Sequence, residues 1–146
     1  MVRYLISLIF FFVGINFLIY CSGGNILTYI DIPNIITIVI IPFILVSILY
    51  GFKNMKTAFS IALKKEADNN ELKKAFNFFN LYGKIIWIVG ITGVIIGIIE
   101  TFINLEKKNQ LGPNLALAIT SIYYCCITYA VIIIPFTIFI KKKLKE

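Results

Sequence analysis

Four long apolar runs constrain this chain more than any other feature. They cover about residues 4–21 ("YLISLIFFFVGINFLIYC"), 32–51 ("IPNIITIVIIPFILVSILYG"), 84–105 ("KIIWIVGITGVIIGIIETFINL") and 114–140, the last inside a stretch that opens at 111 as "LGPNLALAITSIYYCCITYAVIIIP". At 1.5 Å per residue each is long enough to cross roughly 30 Å of hydrocarbon. Only 14% of the residues are charged, against about a quarter in a soluble domain, and the charges gather between the runs. The expectation is an all-α integral membrane protein with four transmembrane helices, a single membrane domain over 1–146 with no room for a second globular domain. A secretory signal peptide is the competing reading of the first run, but the run is longer than a usual signal core and no small-x-small cleavage site follows. "LIYC" has some likeness to a lipoprotein site, with Tyr20 too bulky before the cysteine. A retained span is favoured.

Within the runs, Asp31 is placed to cap the second span, with Pro33 in its first turn. Pro42 sits mid-span, where neighbouring helices satisfy the carbonyl it frees. Gly112-Pro113-Asn114 reads as a turn that opens the fourth span. That span exceeds what a bilayer needs and is expected to tilt or project.

The charges set topology. The net charge is +7, and Lys53, Lys56, Lys64, Lys65, Lys73, Lys74 and Lys84 fall between the second and third spans. Lys141, Lys142, Lys143 and Lys145 follow the fourth, and Arg3 precedes the first. The link after the first span has no lysine or arginine, and the link after the third has only Lys107 and Lys108. By the positive-inside rule the N and C termini and the 52–83 segment are cytoplasmic. Lysines that flank apolar runs are topology determinants, not a basic face for nucleic acid. The middle segment reads as a short cytoplasmic helical hairpin with a turn at "ADNN" and Asn70 capping its second helix. There Leu72, Ala75, Phe76, Phe79 and Tyr82 follow helical spacing. It is either a plain extension of two spans or a docking surface for a partner.

Chemistry is sparse. The three cysteines, Cys21, Cys125 and Cys126, form no CxxC pair, and histidine is absent. No disulfide framework, metal site or haem ligand set follows. With no catalytic constellation and no nucleotide motif, an enzyme is not expected. Three features remain inside the membrane. Gly90, Gly93 and Gly97 lie on nearly one face of the third span, and Gly93/Gly97 is a GxxxG pair of the kind that lets helix backbones approach closely. Ser121, Tyr124, Cys125 and Thr128 form one stripe on the fourth span. The stripe is either interhelical and back-bonded glue or the wall of a polar pathway. Glu100 lies near the outer end of the third span, at its mouth, either handling ions or snorkelling to headgroup water. No other acid is placed to bind a cation at mid-membrane, which points to a partner.

Several stretches, in order, resemble the MotA/TolQ/ExbB proton-channel family, and most closely a shortened flagellar-stator A subunit. "GGNILTYIDIPNIITIV" resembles that subunit's link from first to second span, with a Gly-Gly and then Asp-x-Pro-Asn/Ser. "YGFKNMKTAFSIALKK" resembles the exit from the second span. "GITGVIIGIIETFINL" is similar to the family's G-x-x-G-T-x-x-G third span. The fourth run is similar to I-G-P-x-(L/M)-A-x-A-L-L-T-T-L-Y-G, with Tyr124 at the tyrosine, Cys125 at the glycine and Pro135 at the expected distance beyond. The resemblance implies a homopentameric ring around a dimeric MotB/ExbD/TolR-like single-span partner whose membrane aspartate binds and releases H+ or Na+. The third and fourth spans would line the centre. Thr92, Val94, Thr120, Ser121, Ile122, Tyr124 and Thr128 would then border the ion pathway, and Gly90, Gly93, Gly97, Cys125 and Pro135 would pack helices. No cofactor is implied beyond the transported ion, and a bacterial inner-membrane location is. Departures are visible. Val94 stands where the family has threonine, Ile122 at the second position of the threonine pair, and Trp87 where flagellar stators have proline. A one-residue shift would put Ser121 at that second position. The large rotor-contacting cytoplasmic domain of flagellar stators has no counterpart in the hairpin. A minimal ion-driven motor coupled to another envelope machine is therefore the expectation, with a four-span scaffold lacking ion flux as the alternative.

Overall fold

In a computed structural model, residues 2–64 and 67–144 are described, and every regular element among them is helical. Lys65 and Lys145, counted above among the topology-setting lysines, lie outside the described residues, as does the side chain of Arg3. Four helices are long and apolar enough to span a membrane: α1 (the apolar window Tyr4–Cys21 of helix Val2–Cys21), α2 (Ile32–Tyr50), α4 (Asn69–Ile103) and α5 (Lys108–Lys143). A fifth, α3 (Phe52–Leu63), lies between α2 and α4.

The chain divides into two compact units, Met1–Ile32 and Pro33–Glu146. In the first, α1 buries only 6% of its apolar window, as suits a helix whose environment is lipid rather than its own chain. Its polar residues turn back on the backbone. Ser7 donates to the Tyr4 carbonyl at 2.8 Å and Asn16 to the Phe12 carbonyl at 2.8 Å. Gly23, at φ +71°, ends the helix in the left-handed region that favours glycine. A single 3-10 turn, Ile26–Tyr29, follows, with the Asn25 side chain accepting from the Leu27 N–H at 3.0 Å.

In the second unit α4 is the central column, and α2, α3 and α5 all pack on it. α4 runs without a break through the second hairpin helix and the third span, as a plain extension of that span would. Its start is capped by Asp68, which accepts from the Asn70 N–H at 3.3 Å, so Asp68 and not Asn70 is the cap. On the other arm a break is present. Gly51, at φ +83°, separates α2 from α3. Gly112-Pro113-Asn114 is not a turn either. The helix begins at Lys108, and Pro113 falls inside it. The reversal lies upstream, where the Lys107 N–H donates to the Asn104 carbonyl at 2.9 Å.

Both mid-span prolines are handled the same way. A five-residue π segment precedes each, Ile36–Ile40 before Pro42 and Tyr129–Ile133 before Pro135. A proline ring clashes with the carbonyl four residues back and supplies no N–H. The wider turn makes room, and the residue before each proline bonds five back: Ile41 N–H to Ile36, Ile134 N–H to Tyr129.

The end of this unit that holds α3 is filled by rings. Phe79 stacks on Phe136 (centroids 5.0 Å, 18° between planes) and meets Phe59 and Phe78 edge-on at 5.0 and 5.3 Å. Phe43 meets Tyr82 at 5.7 Å, and Tyr50 meets Phe78 at 5.7 Å. Lys143, from the end of α5, donates to the carbonyls of Ile61 and Ala62 (both 2.9 Å) and of Lys64. A cation there satisfies the orphan carbonyls of α3 and complements its dipole.

Candidate functional site

The seam between α4 and α5 gathers most of the residues singled out above. Its geometry is set by glycine. A Cβ on Gly90 would collide with Cys125 Sγ. On Gly93 it would lie 2.7 Å from Ser121 Oγ, and on Gly97 2.8 Å from Ala118 Cβ and 2.9 Å from both Ala118 N and Asn114 O. Each glycine therefore makes room for α5, and the two backbones approach closely without any hydrophobic drive from lipid.

The hydroxyl stripe of α5 faces this seam. Ser121, Tyr124, Cys125 and Thr128 are all buried within the chain. Thr128 donates to the Tyr124 carbonyl at 2.8 Å, and the Cys125 thiol to the Ile86 carbonyl across the seam at 3.3 Å. Ser121 reaches two acceptors, the Leu117 carbonyl (2.9 Å) and Asn34 Oδ1 (3.2 Å). Asn34 Nδ2 in turn donates to Thr120 Oγ1 at 2.9 Å, and Thr120 back-bonds to Ala116 and Leu117. Asn34, Thr120 and Ser121 thus form a polar node where α2 meets α5 opposite Gly93. Asn34 is the residue that the reading of single spans missed. It stood in the Asp-x-Pro-Asn motif, but its partners lie more than eighty residues away.

The remaining residues lie elsewhere. Thr92 is exposed, its hydroxyl turned to the Ile88 carbonyl at 2.8 Å. Ile122 is 44% exposed, Val94 is half-buried, and Pro135 is half-buried beyond the π segment. Glu100 is exposed near the end of α4, where its carboxylate accepts from Asn104 Nδ2 at 3.3 Å. The structure therefore separates the candidates into a set buried within the chain (Ser121, Tyr124 and Thr128, with half-buried Thr120 beside it), the half-buried Val94, and an exposed set (Thr92, Ile122 and Glu100). Among the described residues no three His, Cys, Asp or Glu side chains are grouped to hold a metal ion.

No curated protein and no solved structure matches this chain. Residues 49–146, about two thirds of its length, match the model of the MotA/TolQ/ExbB proton channel family. That segment contains the glycine seam, the stripe, α3, α4 and α5. With four membrane-length helices and this match, the chain is a multi-pass membrane protein that belongs to the MotA/TolQ/ExbB proton channel family.

Proposed function

We propose that this chain is the A-type subunit of an ion-driven rotary motor, a pentameric ring around a dimeric MotB/ExbD/TolR-like single-span partner in a bacterial cytoplasmic membrane. One observation carries this beyond family membership. α1, α2 and α5 contain no aspartate or glutamate, and in α4 the acids are Glu71 in the first turn and Glu100 near the last. A motor that binds and releases its cation on a carboxylate at mid-depth would in this reading take that group from a partner. The cargo is H+ or Na+, and no resident cofactor is required. In this arrangement α4 and α5 surround the partner, and a pathway along the protomer surface meets Thr92, Val94 and Ile122 first. Ser121 and Thr128 lie behind these positions, buried within the protomer.

Co-expression with a single-span protein that carries a membrane aspartate, purification in mild detergent and native mass spectrometry test this reading. A pentamer of this chain with a dimer of the partner is expected; a monomer without partner overturns it. A second reading, a four-span scaffold without flux, is favoured by one observation. The surface positions Val94 and Ile122 are aliphatic where the family carries hydroxyls. Ion flux through the reconstituted complex, compared with a Ser121→Ala variant, separates the two. Flux that the variant alters supports the motor; no flux from the intact complex supports the scaffold.

A further inference from the structure

The face of α4 turned away from its own chain carries an unexpected polar stripe. Lys73, Asn77, Asn80 and Lys84 are spaced by four, three and four residues and are all exposed. The opposite face of the same turns is the core, with Leu72, Ala75, Phe78, Phe79, Tyr82 and Ile86 buried. The stripe would be ordinary in a hairpin standing clear of the membrane. Its level in the bundle says otherwise.

Contacts on either side fix that level. Tyr82 donates to the Val39 carbonyl at 3.1 Å, and its ring lies 5.7 Å from that of Phe43. Gly83 faces Tyr129 and Ile133. Lys84, the next residue, is therefore level with residues 39–43 of α2 and 129–133 of α5. That is about 10 Å or more from either end of α2, in which an 18-residue stretch has a mean hydropathy of 2.6. Asn77 and Asn80 are lower, level with the contacts Tyr50–Phe78 and Phe79–Phe136. At these levels α2 exposes Leu45, Ile48 and Leu49, and α5 exposes Ile134 and Ile138, side chains that suit lipid. One side of the bundle is thus apolar to the end of α2, while α4 is polar over the same depth.

A lysine alone would extend to the headgroups. Asn77 lies level with Tyr50, at the end of α2, but Asn80 lies about a turn deeper, and its short carboxamide has no such reach and carries donors and acceptors that hydrocarbon leaves unpaired. We propose that Asn77, Asn80 and Lys84, continued by Lys73, line a water-filled, electropositive vestibule that enters the membrane from the hairpin side to about the middle of α2. The inference rests on α2 being a membrane span and goes beyond the motor reading, since a scaffold could hold the same vestibule. In a motor it would hydrate one half of the ion's route without offering a cation site.

The test uses the full chain in membrane vesicles of both orientations, with Cys21 and Cys126 replaced by alanine as background. The probe is a sulfonate-bearing methanethiosulfonate, which does not cross hydrocarbon. Asn80→Cys and Lys84→Cys are compared with Ile48→Cys, an apolar surface position near the level of Asn80. An apolar setting raises a thiol's pKa, and one unit lowers its reactive thiolate about tenfold. The two stripe positions are expected to react roughly tenfold or more faster than Ile48→Cys. Equally slow reaction at all three overturns the vestibule. Equally fast reaction at all three places this depth of α2 in water and overturns the premise. Asn80→Cys against Ile48→Cys carries the comparison should Lys84→Cys fail to accumulate. None of these outcomes depends on the partner or on ion flux.

Discussion

The two ends of the α4–α5 pair are built on opposite principles. From Gly90 to Gly97 the helices touch through glycine, with Ala118, Ser121 and Cys125 as the facing residues. Near Phe79 and Tyr82 they stand around a cluster of rings contributed also by α2 and α3. The glycine end buries almost nothing else. Beyond Gly90, Gly97 is the only residue of α4 classed as buried, while Ile91, Ile95, Ile98 and Phe102 stay exposed. Close approach there leaves most of each helix surface free for other helices or lipid. The ring end consumes its surface internally. One end leaves its outer surface unused by the protomer, and the other holds the protomer together.

The largest effect is expected from Gly97→Leu. Two of the atoms that a side chain would meet are backbone, Ala118 N and Asn114 O, and backbone has nowhere to rotate. The helices must separate, and loss of the monodisperse folded species on gel filtration is expected. An unchanged elution profile would refute close packing at this end. Phe79→Ala ranks next. It removes a fully buried ring from contact with three others, and a cavity of that size costs about 3–5 kcal/mol, read as a lowered unfolding temperature in detergent. Gly90→Ala should cost less, about 1–3 kcal/mol, because its clash is with a thiol and not with backbone. Adding Cys125→Ala should restore most of that loss. Gly97→Ala combined with Ala118→Gly should not recover, since the backbone clash remains. Rescue at both sites, or at neither, would erase the difference drawn here between side-chain and backbone contact. The smallest effect is expected from Asn34→Leu. Ser121 and Thr120 keep their back-bonds to Leu117 and Ala116, so the loss should be about 1 kcal/mol. A loss as large as that of Phe79→Ala would make the polar node, and not the rings, the anchor of α2.

How much of this was legible in the sequence differs between the same two ends. Hydropathy located the four membrane helices, because long uncharged runs have few other fates. It did not fix where the helices themselves end. The lysines between 73 and 84 read as a boundary, yet no helix breaker lies there and α4 continues through them. Gly51 is a true break, visible only as a positive φ. The spacing of Ser121, Cys125 and Thr128 established a shared face. It carried no information on whether that face met α4 or a neighbouring copy, because in a membrane buried and exposed positions are equally apolar. The Asn34 node depends on a pairing between distant segments, which periodicity within one span does not encode.

The π segment before Pro135 has one more consequence, best put as phase. Along α5 the inward positions advance by three or four residues, Ser121, Cys125, Thr128, and then by five to Ile133, followed by Ile140. One surplus residue in a turn rotates everything downstream by about 100° relative to an unbroken α-helix. Without it the last three turns would point Ile140 and Lys143 elsewhere, and α3 would lose the ammonium that closes its end. The wide turn does more than shelter a proline ring. It lets one continuous helix serve two different axes of contact, the glycine seam above and the hairpin below, with their orientations set independently.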